Sequence, residues 1–197
     1  MTIAPLLVDR KGGTMDGSCW RQALIEAHRE LFVRSFRGVP FSPGFPICSG
    51  GWQHIIERLV DRVSDAVQGC YPMYFTHILE QHGVLRVHWT SPADLPKDIE
   101  FAIQNAIALA EARSASTCAV CGMEGRLFSH GSRLFAACPT HALGIPVPSP
   151  LGLHNVYFLR SIIGGQSVLI YRQYDWASDS FVDLQQERVP INESHRG

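Results

Sequence analysis

The amino-acid sequence predicts an α+β fold: three helices, a small antiparallel sheet, a cysteine-rich hairpin and an appended C-terminal β-hairpin. Three observations carry this. An apolar stripe of helical period runs through "WQHIIERLVDRVSDAV", residues 52–67. Two runs of strand length, "YFTHIL" at 74–79 and "VLRVHW" at 84–89, stand either side of "EQHG". Two further strand-like runs, "NVYFLRSI" and "QSVLIYRQY", flank the pair Gly164–Gly165, a hairpin signal.

In chain order, residues 1–17 carry Gly12, Gly13 and Gly17 without sustained periodicity and are expected to form a flexible arm. Trp20, Leu24, Ala27 and Leu31 then fall at helical spacing, with Arg21, Glu26, Arg29 and Glu30 elsewhere, predicting a helix that ends near Phe36. "GVPFSPGFP", residues 38–46, has three prolines and two glycines and reads as an irregular connection. The second helix presents Trp52, Ile55, Ile56, Leu59, Val60, Val63 and Val67 on one stripe, with Gly69 as its stop. In the following hairpin, Leu85, Val87 and Trp89 alternate with Val84, Arg86 and His88. Asp94 is expected to cap a third helix whose stripe is Ile99, Ala102, Ile103, Ala106, Ile107 and Ala110. That helix leads directly into Cys118.

The domain reading is an α+β core over 18–143 containing the knuckle 118–141, then a Pro/Gly linker over 144–152. A β unit over 153–186 should dock on the core, since an isolated hairpin is not stable in water. A polar tail covers 187–197.

Composition narrows the class. With 46% hydrophobic and 18% charged residues the chain is globular rather than disordered. A net charge of -1 gives no general attraction to nucleic acid or acidic membranes. The N-terminus lacks the pattern of a secretory leader, and no run reaches the roughly 18 apolar residues of a membrane span. The expected location is therefore the cytoplasm, where the six cysteines are reduced and paired ones read first as metal ligands.

"CAVCGMEGRLFSHGSRLFAACPTH", residues 118–141, has the spacing C-x2-C-x16-C-x2-H. Two residues between ligands let one tight turn aim both side chains at a single ion, and Gly122 permits the backbone geometry of such a turn. "RLFS" and "RLFAA" around "HGS" predict a hairpin that brings the two ligand pairs together. Cys118, Cys121, Cys138 and His141 then form a thiolate-rich set that favours one Zn²⁺. Four protein ligands leave no open coordination position, so the site reads as structural rather than catalytic. The alternative is three buried cysteines and a surface histidine.

Other candidates for chemistry are thinner. Cys48 in "CSGGW" precedes a helix and has His54 close in sequence, as a cysteine nucleophile would need. The competing reading is a glycine turn that lets Trp52 enter the core. His77 and His88 face each other across the first hairpin, but two ligands do not make a metal site. "IIGGQS" lacks the lysine and helix of a phosphate loop, and no G-x-S-x-G elbow occurs. Arg126, Arg133, Phe128 and Phe135 on the cysteine hairpin form the candidate platform for nucleic acid. Tyr171, Tyr174, Asp175, Trp176, Asp179 and Asp183 form the candidate contact surface for a protein partner.

"CSGGW" with Cys48, Gly51 and Trp52, "EQHGVLR" with Glu80, Gly83, Leu85 and Arg86, and "AEARSASTCAVCGMEG" at 110–125 together resemble a family of small bacterial and phage proteins. That family has a Cys-Gly-Asp-Gly-Trp turn, a Glu-Lys-Phe-Gly-Gly-Leu-Arg hairpin, and a helix ending in Ala-Glu that leads to Thr-Cys-x-x-Cys-Gly-x-x-Gly and a closing Cys-x-x-His or Cys-x-x-Cys. The resemblance spans residues 20–143. Gly50 stands where the family has an aspartate, and His82 and Val84 replace a phenylalanine and a glycine. The segment from 144 onward has no counterpart. What the resemblance implies is the zinc staple and the domain layout; it implies no reaction.

The expectation from the sequence is thus a non-enzymatic, zinc-stapled binding protein that acts by contacting another protein. Examples are an immunity protein that neutralises a toxin, or a phage modulator of a host protein. A nucleic-acid-binding module using the cysteine hairpin is the alternative, and a cysteine enzyme built on Cys48 the second alternative.

Overall fold

The apolar stripe from Trp52 to Val67 is buried along its whole length, and the rest of the core is arranged around it. A computed structural model of the chain describes residues 17–148, 156–163 and 166–183. The expected arm at 1–17, bar its last residue, and the tail at 187–197 lie outside the described residues, as do the turn Gly164–Gly165 and residues 149–152 of the linker. The fold is α+β.

Helix α1 (Gly17–Ala27) and the single turn α2 (Arg29–Phe32) occupy the region where one long helix is predicted. His28 breaks it, with φ -127 and ψ 47. The break turns Phe32 inward, fully buried against Phe75 with ring centroids 5.2 Å apart, and still places Leu31 in the core. The chain then enters a two-stranded ribbon: β1 (Arg34–Phe36) replaces the predicted end of the helix near Phe36, and β2 (Val39–Phe41) lies in the predicted irregular connection. Arg37 and Gly38 make its turn with φ of 52° and 79°, the doubly left-handed geometry that two-residue hairpins require.

Strand β3 (Pro46–Ile47) is followed by a 3₁₀ turn (Gly50–Trp52) and helix α3 (Gln53–Val67). Strands β4 (Tyr74–Gln81) and β5 (Val84–Thr90) form the predicted hairpin, turning on His82 and Gly83 with φ of 53° and 75°. The sheet order is β3-β4-β5, and β3 runs parallel to β4. The sheet is therefore mixed rather than antiparallel, because α3 supplies the crossover that two parallel strands need.

Helix α4 (Lys97–Ala115) begins after Pro96, not at Asp94. Leu95 precedes a proline and is biased to extended backbone, while Pro96 has its φ preset at -53 and can open a helix. Helix α4 also seals the open edge of β5: the Leu85 N–H donates to Ser114 Oγ (2.8 Å) and the Val87 N–H to Glu111 Oε1 (3.3 Å). Its predicted stripe accounts for Ile103, Ala106 and Ala110, which face the main core. Leu109 and Ala112 are buried on a second side, against Tyr174.

That second side receives the C-terminal unit, an antiparallel sheet β11-β10-β9 built from β9 (Val156–Ile163), β10 (Gln166–Asp175) and β11 (Ser180–Asp183). The Tyr157 hydroxyl donates to the Ala112 carbonyl (3.2 Å), and burial pushes its pKa up to about 12. Arg113 donates to the Tyr174 hydroxyl (3.1 Å) and to the Trp176 carbonyl (2.6 Å), with its guanidinium 3.3 Å from the Trp176 ring centre. Arg58 and Arg62, one turn apart on α3, reach Asp179 Oδ2 at 2.6 and 2.9 Å, while the Tyr174 hydroxyl donates to Oδ1 at 2.5 Å.

These contacts correct the expected partner surface. Tyr174 is 2% exposed and Asp179 8%, so both are committed to docking their own unit. Trp176 lies under Arg113, and Asp175 accepts from the Ser178 N–H (2.9 Å) and hydroxyl, holding the 176–179 turn. The side chains of Tyr171 and Asp183 lie outside the described residues.

The docking should be acid-labile. Burial raises the Asp179 pKa, but the Tyr174 hydroxyl and the two guanidinium groups outweigh it and hold the carboxyl below its ordinary 3.8. A depressed folded pKa contributes stability above the unfolded value, and the contribution is lost as pH falls through the folded value. Asp179→Asn keeps a residue that tolerates the φ of 50° here and should cost about 2 kcal/mol at neutral pH. In urea melts, the gap between wild type and variant should hold down to about pH 4 and shrink below it. A pH-independent gap would mean that the charge contributes nothing.

Candidate metal centre

Three local conformations build the knuckle. Gly122 adopts φ +77 after the second cysteine, and its N–H donates to the Cys118 carbonyl (2.9 Å). The Cys118 N–H returns to the Met123 carbonyl (2.8 Å), closing the loop around the first ligand pair. Strands β6 (Arg126–His130) and β7 (Arg133–Ala137) form the predicted hairpin, Phe128 opposite Phe135, and deliver the chain to Cys138. There the His141 N–H donates to the Cys138 carbonyl (3.0 Å), which folds the second pair into a turn like the first. The expected linker contributes a further strand, β8 (Ile145–Pro146), paired with β6. Those residues complete a three-stranded sheet, and the Val147 N–H also donates to the Leu127 carbonyl (2.9 Å).

The four side chains converge. One ligand atom from each of Cys118, Cys121, Cys138 and His141 lies within 4.8 Å of every other. Cys121 Sγ is 3.7 Å from Cys138 Sγ, and His141 Nδ1 is 3.3 Å from Cys138 Sγ and 3.6 Å from Cys118 Sγ. In a tetrahedral site with metal–sulfur bonds of about 2.3 Å and metal–nitrogen bonds of about 2.1 Å, the edges are about 3.8 and 3.6 Å. The quartet could hold a metal ion.

The electrostatics favour the thiolate at two of the four residues, Cys118 and Cys138. Burial would raise the Cys118 thiol, but backbone N–H groups of Cys138, Cys121 and Val120 overcome this and lower it. At Cys138 burial again pushes up, and the His141 N–H and ring together with Cys121 bring the thiol down to about 6. At Cys121 the Met123 backbone N–H lowers the thiol, but burial and the neighbouring Cys118 and Cys138 sulfurs outweigh it and raise it. A cation at the centre would replace the shared protons.

The knuckle is anchored by "SGGW". The Gly51 N–H donates to the Ala119 carbonyl (2.9 Å), and the Trp52 indole N–H to the Thr117 carbonyl (2.9 Å). A Cβ on Gly51 would stand 2.5 Å from both the Cys118 and Ala119 carbonyl oxygens. A Cβ on Gly83, at the tip of the β4–β5 hairpin, would meet Leu127 and the backbone of Phe135. The two glycine turns are therefore docking surfaces for the cysteine hairpin. The sequence reading of "CSGGW" as a glycine turn that lets Trp52 enter the core agrees with the structure, where Trp52 is fully buried, but no local pattern says what a glycine packs against.

Cys48 is half-buried beside the core rather than aimed at a partner base. Burial pushes its thiol up to about 11, the nearby Arg21 guanidinium opposing this only in part. Burial, then Arg113 and Arg58, lower the pKa of His54, whose ring lies next to the Gly122 position. At neutral pH iodoacetamide should modify Cys48 more slowly than the exposed Cys70. Faster labelling of Cys48, read by peptide mass spectrometry, would revive the nucleophile.

The platform expected for nucleic acid on the cysteine hairpin is corrected: Phe128 is buried, and Phe135 packs beside it on the Cys118–Cys138 cluster. His77 and His88 meet edge-on at 5.7 Å across β4 and β5, and among the described residues no third ligand joins them. No described helix is long and apolar enough to cross a membrane. Comparison with protein-family models, curated proteins and solved structures finds no match to the chain.

Proposed function

We infer that the protein is a non-enzymatic binding module in which one structural Zn²⁺ holds the cysteine hairpin on the α+β core, and that it acts through contact with another protein. The carrying observation is the convergence of Cys118, Cys121, Cys138 and His141. Three thiolates and an imidazole match Zn²⁺ in softness and number, and four protein donors fill a tetrahedral shell. A filled shell has no position for a substrate or a reactive water.

The rim of the site supports recognition of a protein. Val120 and Met123 within the first knuckle, and Leu143 and Ile145 after the last ligand, are large apolar side chains left exposed. Each lies within four residues of a ligand, on backbone fixed by the metal. Apolar side chains carried on backbone already held in one conformation lower the ordering cost of a contact surface. A toxin bound by an immunity protein, or a host protein bound by a phage modulator, would suit such a rim.

The test is affinity capture from the native cell with the full chain and with Met123→Glu/Leu143→Glu. One zinc per chain by elemental analysis and a protein retained by wild type but lost by the rim variant are expected. Zinc-free protein, or identical capture by both chains, would overturn the reading.

A further inference from the structure

We propose that the β1–β2 ribbon binds single-stranded nucleic acid, stacking bases on Phe36 and Phe41 and holding phosphates with Arg34 and Arg37. Opposed residues of an antiparallel pair share a face, and the register pairs Arg34 with Phe41 and Phe36 with Val39. One face thus carries Arg34, Phe36, Val39 and Phe41, while Ser35 and Pro40 lie on the other. All six strand residues are exposed, with Phe36 at 64%, Val39 at 65% and Phe41 at 45%. Phe36 and Phe41 are diagonal neighbours, about 7–8 Å apart, a step that consecutive bases of an unstacked strand can make.

Charge selects the occupant. Between Glu30 and Glu57 the chain has no acidic residue, and Glu30 itself faces His28 (3.9 Å). The other arginines that make described ion pairs are Arg29, Arg58, Arg62 and Arg86. Arg34 and Arg37 instead lie beside rings, at 5.1 Å from the centre of Tyr74 and 5.3 Å from that of Phe36. Guanidinium groups alternating with exposed rings form a stacking platform that tolerates any base. This is the exposed arginine–aromatic surface that the cysteine hairpin does not supply.

Fluorescence anisotropy of the full chain with labelled dT15 and U15 oligonucleotides tests the proposal. Two phosphate contacts predict that log K falls with log salt at a slope of about -1.4. Arg37→Glu should weaken binding and remove about half of that slope, and Phe36→Ala or Phe41→Ala should each weaken it about tenfold. Arg126→Glu, on the metal hairpin, should change nothing. If a phenylalanine variant melts early, photo-crosslinking of 5-iodouridine in the U15 probe to wild type decides instead, with attachment expected within residues 34–41. No binding at about 50 mM salt, where such contacts are strongest, would overturn the proposal. So would binding that both phenylalanine variants retain, or attachment elsewhere. Binding to phosphatidylserine vesicles or self-association that needs Phe36 and Phe41, with the oligonucleotides unbound, would also overturn it. None of these outcomes bears on zinc content or on the apolar rim, so the two readings fail separately.

Discussion

Cys121→Ser is expected to abolish stoichiometric zinc binding and to lower stability by more than about 4 kcal/mol, a large share of the 5–15 kcal/mol that a domain of this size holds. Structural metal binding is folding free energy, because the unfolded chain has no preformed site. The hairpin has little to replace it. Its own buried cluster is Cys118, Phe128, Ala137 and Cys138, with Phe135 and Ala142 beside them. Without the ion, three thiols and an imidazole would share a space of 4.8 Å. Hydrogen exchange should show amides of 118–141 losing protection before those of α3, whose stripe belongs to the main core. Chelation of wild type should reproduce the variant. Unchanged melting after either treatment would mean that the four residues do not carry a structural ion.

Gly51→Ala should be nearly as damaging, at about 3 kcal/mol, although it removes no contact. The added methyl would sit 2.5 Å from two carbonyl oxygens, those of Cys118 and Ala119. Backbone cannot rotate aside as a flexible side chain can, so the knuckle must move off α3. That movement breaks the Gly51–Ala119 bond and strains the indole bond from Trp52 to Thr117. Its neighbour is the control: a Cβ on Gly50 meets nothing within 4 Å, so Gly50→Ala should be neutral within about 0.5 kcal/mol. Chemical denaturation of the pair, with zinc retention measured alongside, separates a docking role from a general need for glycine. Equal effects at 50 and 51 would refute the close approach.

Periodicity by itself determined the elements whose burial is one-sided. The stripe of α3 and the alternation of β5 are local records of a face turned to one core, and the ligand spacing is a local record of two tight turns. Each can be read without knowing what lies opposite. Helix α4 shows where this stops: its stripe names Ile103, Ala106 and Ala110, but Leu109 and Ala112 are buried by a unit that begins some forty residues later. A helix covered on two sides has no single stripe to read.

What only the tertiary structure decided is the use of polar and small residues. Tyr174 and Asp179 look like surface residues in the sequence and become buried because Arg58, Arg62 and Arg113 arrive from α3 and α4 to satisfy them. Phe128 and Phe36 each lie near arginines in short hairpins, yet one is buried on the cysteine cluster and the other stands open. Gly50 and Gly51 are identical in kind and adjacent, yet the knuckle's backbone rests on only one of them. A side chain's chemistry fixes what it needs when buried, and only long-range packing determines whether it is buried and what meets it there.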